Sequence, residues 1–366
     1  MARVFLGVDR GEPERLVAVK TLLPKLTRQR LYTEMFATEG KVGKRLQHAN
    51  IVETVDFGNA GGNAYIALDY IFGFDLSTVL RKLRKQGGVM PLALAVGLAR
   101  DLAAALAYAH ELTDEYARPL NIVNRDVSPG NVMIGFDGIV KLIDFGIAQT
   151  TIDVKSQIGS IKGKISYMAP EQVRGLPVDS RADLFSLGTV LYEMLSGVQI
   201  FHDEGDFATM ERVREANAPP ASTHNSAIDG RLDEIIARAM AREASDRYQF
   251  ARDIRDDLDA WMKEHDHAVR HEDTAAFMRG LFGSQIDEMQ TDIHRARDAA
   301  LGAEPADENE ISAEMALPPR LISEDALEEL DPGEPVNLPP DPPSRWWIGA
   351  ALVVAAAAVL WAVLRS

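Results

Sequence analysis

The sequence predicts an α+β protein with two lobes, a small N-terminal lobe rich in strands and a larger helical C-terminal lobe. Apolar and polar residues alternate through much of the first 70 residues, whereas apolar residues recur at helical spacing beyond Pro91. Hydrophobic residues make up 46% of the 366 residues, which is ample for a sizeable core. We expect the two lobes to be followed by a disordered tether and a transmembrane helix.

The N-terminal lobe, residues 1–70, is predicted to contain a small sheet and one helix. Between Val4 and Lys20 the alternation surrounds the turn-forming residues 9–13, which predicts a β-hairpin. The periodicity that follows predicts a helix at 28–46 and strands at 51–58 and 64–71.

The C-terminal lobe, residues 71–265, is predicted to be mainly helical. Apolar residues at helical spacing predict long helices at 92–112, 181–196, 230–241 and 250–264. A further amphipathic segment lies at 274–298, and we place it in a helical extension that spans residues 266–300. This extension follows a two-lobed domain that occupies residues 1–265.

An acidic, Pro-rich segment and an apolar run follow the extension. Residues 301–345 cannot bury enough apolar surface to fold alone, which predicts a tether. Residues 346–364 contain no charge and no proline, and this length is close to the ~20 residues that cross a bilayer. Trp346 and Trp361 lie near the ends, where tryptophan anchors membrane helices. A buried helix is the alternative, but the neighbouring segment is a tether, so we predict a single-pass membrane protein.

Charge and cysteine content exclude several classes of function. The net charge is −16, and most of it lies in residues 266–345, which hold 19 acidic and six basic residues. Residues 1–265 are therefore nearly balanced in charge, which gives no reason to expect nucleic-acid binding. The absence of cysteine excludes disulfides, thiolate metal sites and a cysteine nucleophile. A metal site could be read from His265, Asp266, His267 and His271, but their spacing favours a solvated helix end.

The strongest chemical signal is the run NRDVSPGN at 124–131, which is followed by Asp144-Phe145-Gly146. It places two carboxylates and a carboxamide on adjacent loops. Phosphoryl transfer needs a group that orients the attacking hydroxyl and oxygen ligands for Mg²⁺, and little other covalent chemistry. These residues resemble the catalytic loop and the Asp-Phe-Gly motif of protein kinases, and the resemblance extends over residues 1–265.

The resemblance implies a bilobal kinase fold and a kinase that uses ATP and Mg²⁺ on protein substrates. It assigns Asp126 as the catalytic base and Asn131 and Asp144 as metal ligands. Lys20 would hold the α- and β-phosphates and Glu39 would pair with it. The residues expected around the nucleotide are Val4, Ala18, Lys20, Leu68, Asp69, Tyr70, Asp75 and Met133, with the adenine hinge at 68–71.

Other motifs occur in the order that the family has. Residues 168–171 resemble the Ala-Pro-Glu element, and Arg247 matches the arginine that pairs with Glu171. Asp183 matches the buried aspartate that supports the catalytic loop. The loop residues suit a Ser/Thr enzyme of the bacterial transmembrane type with its kinase domain in the cytoplasm. Tyrosine specificity is the alternative.

The glycine-rich phosphate loop departs from the family pattern. When Val4 is aligned with the valine of Gly-x-Gly-x-x-Gly-x-Val, Ala2 falls on the third glycine, and the first strand and part of the loop are expected to be absent. We favour a start that has been set too late. A domain that binds ATP poorly is the alternative.

Three internal departures also bear on activity. Asn124 replaces the usual histidine and Gly43 replaces a bulky residue, and we expect these smaller side chains to loosen the active arrangement. An inactive nucleotide-binding scaffold therefore stays open, as does a membrane-tethered interaction protein that acts through residues 266–345. Ser128 stands where most Ser/Thr kinases have a phosphate-contacting lysine, and we expect Lys164, or else Lys162, to supply that charge.

Overall fold

The computed structural model describes residues 2–9, 12, 15–27, 29–145 and 163–302, and it has the two lobes in the predicted order. The N-terminal lobe contains an antiparallel sheet with β1 at one edge, in the order β1-β2-β4-β3. The hairpin of β1 and β2 is confirmed, with Val4 opposite Lys20. The elements of this lobe are β1 (Ala2–Val8), β2 (Leu16–Leu22), α1 (Pro24–Thr27), α2 (Arg30–Gly43), β3 (Thr54–Ala60) and β4 (Asn63–Asp69).

Helix α2 lies unusually close to strand β3. A Cβ atom added to Gly43 would lie 2.3 Å from Thr54 Oγ1, and one added to Gly40 would lie 2.7 Å from the Phe57 ring. Real Cβ contacts are essentially never under 3.0 Å, so glycine is required here for the helix to approach the strand. The buried Thr54 fills the space beside Gly43, so no cavity is left there, and the expected loosening stays a prediction.

The C-terminal lobe surrounds a buried helix, α6, and has a small sheet with the order β5-β6-β7 on the side of the other lobe. The predicted helices are present with shifts of a few residues, whereas the short helices α3 and α7 and the small sheet were not predicted. The elements are β5 (Gly73–Asp75), α3 (Leu76–Lys85), α4 (Leu92–Glu111), β6 (Val132–Gly135), β7 (Val140–Leu142), α5 (Pro170–Val173), α6 (Arg181–Ser196), α7 (Asp206–Glu215), α8 (Gly230–Ala239) and α9 (Ala251–Glu264).

Helix α4 is the one helix among the described residues that is long and apolar enough to cross a membrane. It packs against α6 and α9, and 67% of its most apolar window is buried inside the lobe. Its Ala/Leu composition therefore serves the core of the lobe. Residues 303–345 of the predicted tether and the membrane segment predicted at 346–364 lie outside the described residues.

The predicted extension forms the 32-residue helix α10 (His271–Gly302), which packs on the small sheet. The Phe282 ring stacks on Phe74 with their centroids 4.2 Å apart, and Met278 is fully buried. The helix begins against the β6–β7 turn, where Gly138 has φ +88° and a Cβ would lie 1.8 Å from the His271 carbonyl oxygen. Helix α10 also contacts β1, so it touches both lobes.

Candidate active site

A lysine between two carboxylates lies where the lobes meet. Lys20 Nζ on β2 is 2.7 Å from Glu39 Oε1 on α2 and 3.0 Å from Asp144 Oδ2 after β7. All three side chains are largely shielded from solvent. The pairing predicted between Lys20 and Glu39 is therefore present, and the same ammonium reaches the loop with the proposed metal ligand.

Burial and mutual charge decide the protonation of this triad. Burial lowers the pKa of the Lys20 ammonium, but the Asp144 and Glu39 carboxylates outweigh it and hold that pKa above its ordinary value. Burial and the nearby Asp144 carboxylate raise the pKa of Glu39 to about 8. The pKa of Asp144 is lowered, because the Lys20 charge outweighs burial. Lys20 is therefore cationic and Asp144 anionic at neutral pH.

Asp126, the expected base, receives two contacts through one carboxylate oxygen. Asn131 Nδ2 donates to Asp126 Oδ2 at 2.7 Å, and Lys164 Nζ lies 2.7 Å from the same atom. No hydrogen bond from the described residues reaches Oδ1. Burial lowers the pKa of Lys164, but the Asp126 and Asp144 carboxylates outweigh it, and the pKa is raised. Lys164 therefore brings a positive charge to the base, although it is half-exposed.

The loop that holds Asp126 is fixed by the buried carboxylate of Asp183 on α6. Asp183 accepts hydrogen bonds from the main-chain N–H groups of Asn124, at 2.8 Å, and Arg125, at 2.7 Å. Arg125 has φ +64°, a strained conformation that these bonds stabilise. His110 Nε2 is 2.7 Å from the same carboxylate. The sequence predicted the role of Asp183, but a single histidine at the end of α4 gave no signal for His110.

Asn124 is fully buried and hydrogen-bonds to both catalytic loops. Its Nδ2 donates to the Asp144 carbonyl oxygen at 2.7 Å, and its Oδ1 accepts from the Asp126 main-chain N–H at 3.1 Å. The expected loosening at this position stays a prediction, since the shorter side chain is held by these hydrogen bonds and not by apolar packing.

The predicted metal ligands fit Mg²⁺ by the chemistry of their donors. Asn131 Nδ2 donates to the side chain and the carbonyl oxygen of Asp126, which leaves its amide oxygen for other partners. The Ile143 N–H donates to the Asn131 carbonyl at 3.1 Å, so Asn131 lies beside Asp144. Carboxylate and amide oxygens are the ligands Mg²⁺ prefers. Asn131 and Asp144 could thus hold the ion together with phosphate oxygens.

The remaining predicted nucleotide contacts lie along the cleft. Ala18 pairs with Leu68 across β2 and β4, and the Tyr70 N–H donates to the Leu16 carbonyl at 3.2 Å, which fixes the hinge. The Asp69 carboxylate is held by Arg15 at 3.2 Å. These placements agree with a hinge at 68–71, although no ligand contact tests it.

Asp75 and Met133, two more residues predicted to lie around the nucleotide, pair across β5 and β6. The Asp75 carboxylate caps α3: it accepts from the Thr78 N–H at 2.9 Å and from two hydroxyls, those of Ser77 and Thr78. Its role near a ribose stays a prediction. The cap gives Asp75 a structural role that the sequence prediction did not include.

Arg247 and Ser128 are both buried motif residues, but only Arg247 has hydrogen-bond partners among the described residues. Arg247 is fully buried and bonds both oxygens of Glu171, at 2.7 and 2.8 Å, as the motif predicted. Ser128 is also buried, but its Oγ has no hydrogen-bond partner among the described residues. The position where the family has a lysine therefore supplies no charge here.

The histidine-rich helix end forms a local stack. His265 Nε2 is 2.8 Å from Asp229 and its ring lies 4.3 Å from that of Trp261. Within the described parts of the chain, no group of three or more His, Cys, Asp or Glu side chains could hold a metal ion.

Comparison with known proteins identifies relatives of the chain. A family model described as "Protein kinase domain" matches residues 1–257. The tyrosine-protein kinase MasK of Myxococcus xanthus is 38% identical over 78% of this chain and 45% of its own length. The serine/threonine-protein kinase PknB of Mycobacterium leprae is 36% identical over 70% of this chain and 40% of its length. The chain thus spans less than half the length of these curated relatives.

A solved structure resembles the two lobes. The Mycobacterium tuberculosis PknI kinase domain has a TM-score of 0.54 and 28% sequence identity. The match covers 71% of this chain and 90% of that domain.

Proposed function

Because this chain belongs to the protein kinase family, we propose that it is an ATP- and Mg²⁺-dependent Ser/Thr protein kinase that acts from a membrane. The observation that supports catalysis best is that five polar side chains, of the kinds that phosphoryl transfer uses, lie close together where the lobes meet. They are Lys20, Glu39, Asp126, Asn131 and Asp144, connected by the hydrogen bonds and ion pairs given above.

In the proposed reaction, Asp126 orients the substrate hydroxyl and accepts its proton. The hydroxyl oxygen bonds to the γ-phosphorus as the bond from that phosphorus to the bridging oxygen of ADP breaks. Lys20, held by Glu39, binds the α- and β-phosphates. Mg²⁺, held by Asn131 and Asp144, supplies charge neutralisation on the phosphates when it is bound.

The substrate residue is proposed to be serine or threonine. Support comes from the loop residues 131–133 and from relatives named serine/threonine-protein kinases, among them PknB and the PksC protein of Streptomyces coelicolor. Tyrosine is the second candidate, because MasK, at 38% identity, is named a tyrosine-protein kinase. Phosphoamino-acid analysis of the product separates the two.

The membrane location is proposed from the apolar run at 346–364 and from the acidic segment at 301–345 that precedes it. The kinase lobes would then lie in the cytoplasm, where ATP is available.

The test is phosphate transfer from radiolabelled ATP to protein substrates by the full chain. A second version carries a family glycine-rich loop ahead of Met1, so that transfer is measured with and without that loop. Asp126→Asn and Asp144→Asn should each reduce transfer more than tenfold, about 1.4 kcal/mol of barrier, while unfolding temperatures stay unchanged. If neither version transfers phosphate although both bind Mg²⁺-nucleotide, the scaffold hypothesis replaces the kinase.

A further inference from the structure

Asn124 connects the loop of the base to the loop of the metal ligand through one side chain. The N–H of Asp126 can only donate and the carbonyl of Asp144 can only accept, so the two partners fix which end of the Asn124 amide is oxygen. Asn124 is fully buried, which makes both bonds costly to lose.

The two bonds act on the two groups that must be aligned for transfer. The bond to the Asp126 N–H lies two residues along the chain, as in an Asx turn, and sets the direction in which the base leaves the loop. The bond to the Asp144 carbonyl sets the backbone of the metal-binding loop. Phosphoryl transfer depends mainly on such positioning.

The anchoring of the loop itself does not use the Asn124 side chain. Asp183 holds the main-chain N–H groups of residues 124 and 125, and these bonds stay available to any residue type except proline. A change of the side chain can therefore alter alignment without removing the anchor.

We propose that Asn124 is a positioning residue that aligns Asp126 with Asp144, in place of the apolar packing that a larger residue would supply. This inference rests on the proposed kinase function. A ring nitrogen can take over the acceptor role, because in this chain His48 Nδ1 accepts from the main-chain N–H of Asn50, also two residues on, at 3.1 Å. A histidine at 124 could thus accept with one ring nitrogen and donate with the other.

The experiment compares three variants of the full chain. Asn124→Leu removes both hydrogen bonds with a side chain of similar size. Asn124→Asp keeps the acceptor for the Asp126 N–H but loses the donor to the Asp144 carbonyl. Asn124→His keeps one acceptor and one donor. We expect the Leu and Asp variants to lower kcat more than about tenfold with KM for the protein substrate within about twofold, and the His variant to stay within about threefold of the wild type. If the role of Asn124 is purely structural, the loss of kcat will instead follow the loss of melting temperature across all three variants.

A second readout does not need turnover. We titrate Mg²⁺ into each protein with a non-hydrolysable ATP analogue and follow nucleotide binding. The Leu and Asp variants should need at least about fivefold more Mg²⁺ for half-saturation, because the Asp144 carbonyl loses its donor and the metal-binding loop can shift, although Lys20 still contacts the carboxylate. If the wild type binds the nucleotide but never transfers phosphate, the proposed function fails while this titration still tests Asn124.

The inference is overturned if folded Leu and Asp variants match the wild type within about twofold in both kcat and Mg²⁺ requirement. It is also overturned if the His variant is as impaired as the Leu variant. Should Asn124→Leu not fold, Asn124→Ala, which adds no bulk, takes its place with the same expectations.

Discussion

Asn131 and Lys164 both contact Oδ2 of Asp126. The lysine beside the base here is thus Lys164, whereas most Ser/Thr kinases have a lysine at the position of Ser128. Ser128 is buried and its hydroxyl has no partner in the described part of the chain, whereas Lys164 lies 2.7 Å from Asp126 Oδ2. The sequence prediction that Lys164 supplies the missing charge is therefore compatible with its position. Lys162, the other candidate, lies outside the described residues. A charge at this place would stabilise the phosphoryl group as it is transferred.

Lys164→Ala should lower kcat far more than it raises KM for ATP, because the charge acts on the transferred phosphate rather than on nucleotide binding. Steady-state kinetics measure both constants, and Lys141→Ala is the matched control, since Lys141 Nζ only donates to the Ala49 carbonyl. If Lys164→Ala and Lys162→Ala both leave kcat within about twofold, under ~0.5 kcal/mol of barrier, the charge is not used.

Single residues also mark the limit of prediction from sequence. Asp126, Asp144 and Asp183 could be predicted because each has a motif and an obligatory chemical role. Asn124 and Gly43 could be recognised only as departures from a pattern, since their effect depends on what fills the space around them. Asn124 bonds to a main-chain carbonyl and a main-chain N–H, and Gly43 packs against Thr54. The sequence around residues 124 and 43 does not predict these neighbours.

At the scale of elements, long helices and the first hairpin were predicted well because their periodicity extends over many residues. The small sheet was missed, since strands of three or four residues contain too few periods to stand out. The helices α3 and α7 were also missed, although α8, of the same length, was predicted. Helix α2 was placed by its periodicity, but its closeness to β3 was not. This contact positions Glu39 toward Lys20.

Gly43→Leu should destabilise the fold by about 1–3 kcal/mol, because the new side chain overlaps Thr54. It should also weaken nucleotide binding, as α2 must retreat and draw Glu39 from Lys20. Thr54→Ala in the same chain should recover part of both losses, which a double-mutant cycle from denaturant unfolding measures.

The control for this cycle is Gly283→Leu in α10, where nothing lies within 4 Å of an added Cβ. It should be neutral or slightly stabilising, since a glycine inside a helix is replaced. Equal effects of Leu at 43 and 283, or no coupling between 43 and 54, would contradict the close-contact account.

At the scale of the molecule, helix α10 touches both lobes. It packs on the small sheet through Phe282 and Met278 and also contacts the edge strand β1. The matched family model ends at residue 257, so this helix lies beyond the matched domain. Residues 301–345, the predicted tether, hold 12 acidic and two basic residues, and this net negative charge would lie between α10 and a membrane.

Deleting residues 345–366 should move the protein from the membrane to the soluble fraction, because ~19 apolar residues are enough to anchor a chain. The melting temperature of the lobes should not change, since the run is predicted to lie in the membrane and not in the core of the lobes. A milder version, Val354→Arg with Ala358→Arg, places two charges near the middle of the run, each costing about 2.5–3.5 kcal/mol of insertion. Val354→Leu with Ala358→Leu is the matched control and should stay on the membrane. Sedimentation after carbonate and detergent washes distinguishes these cases, and a deletion variant that still requires detergent for release would move the anchor to another segment.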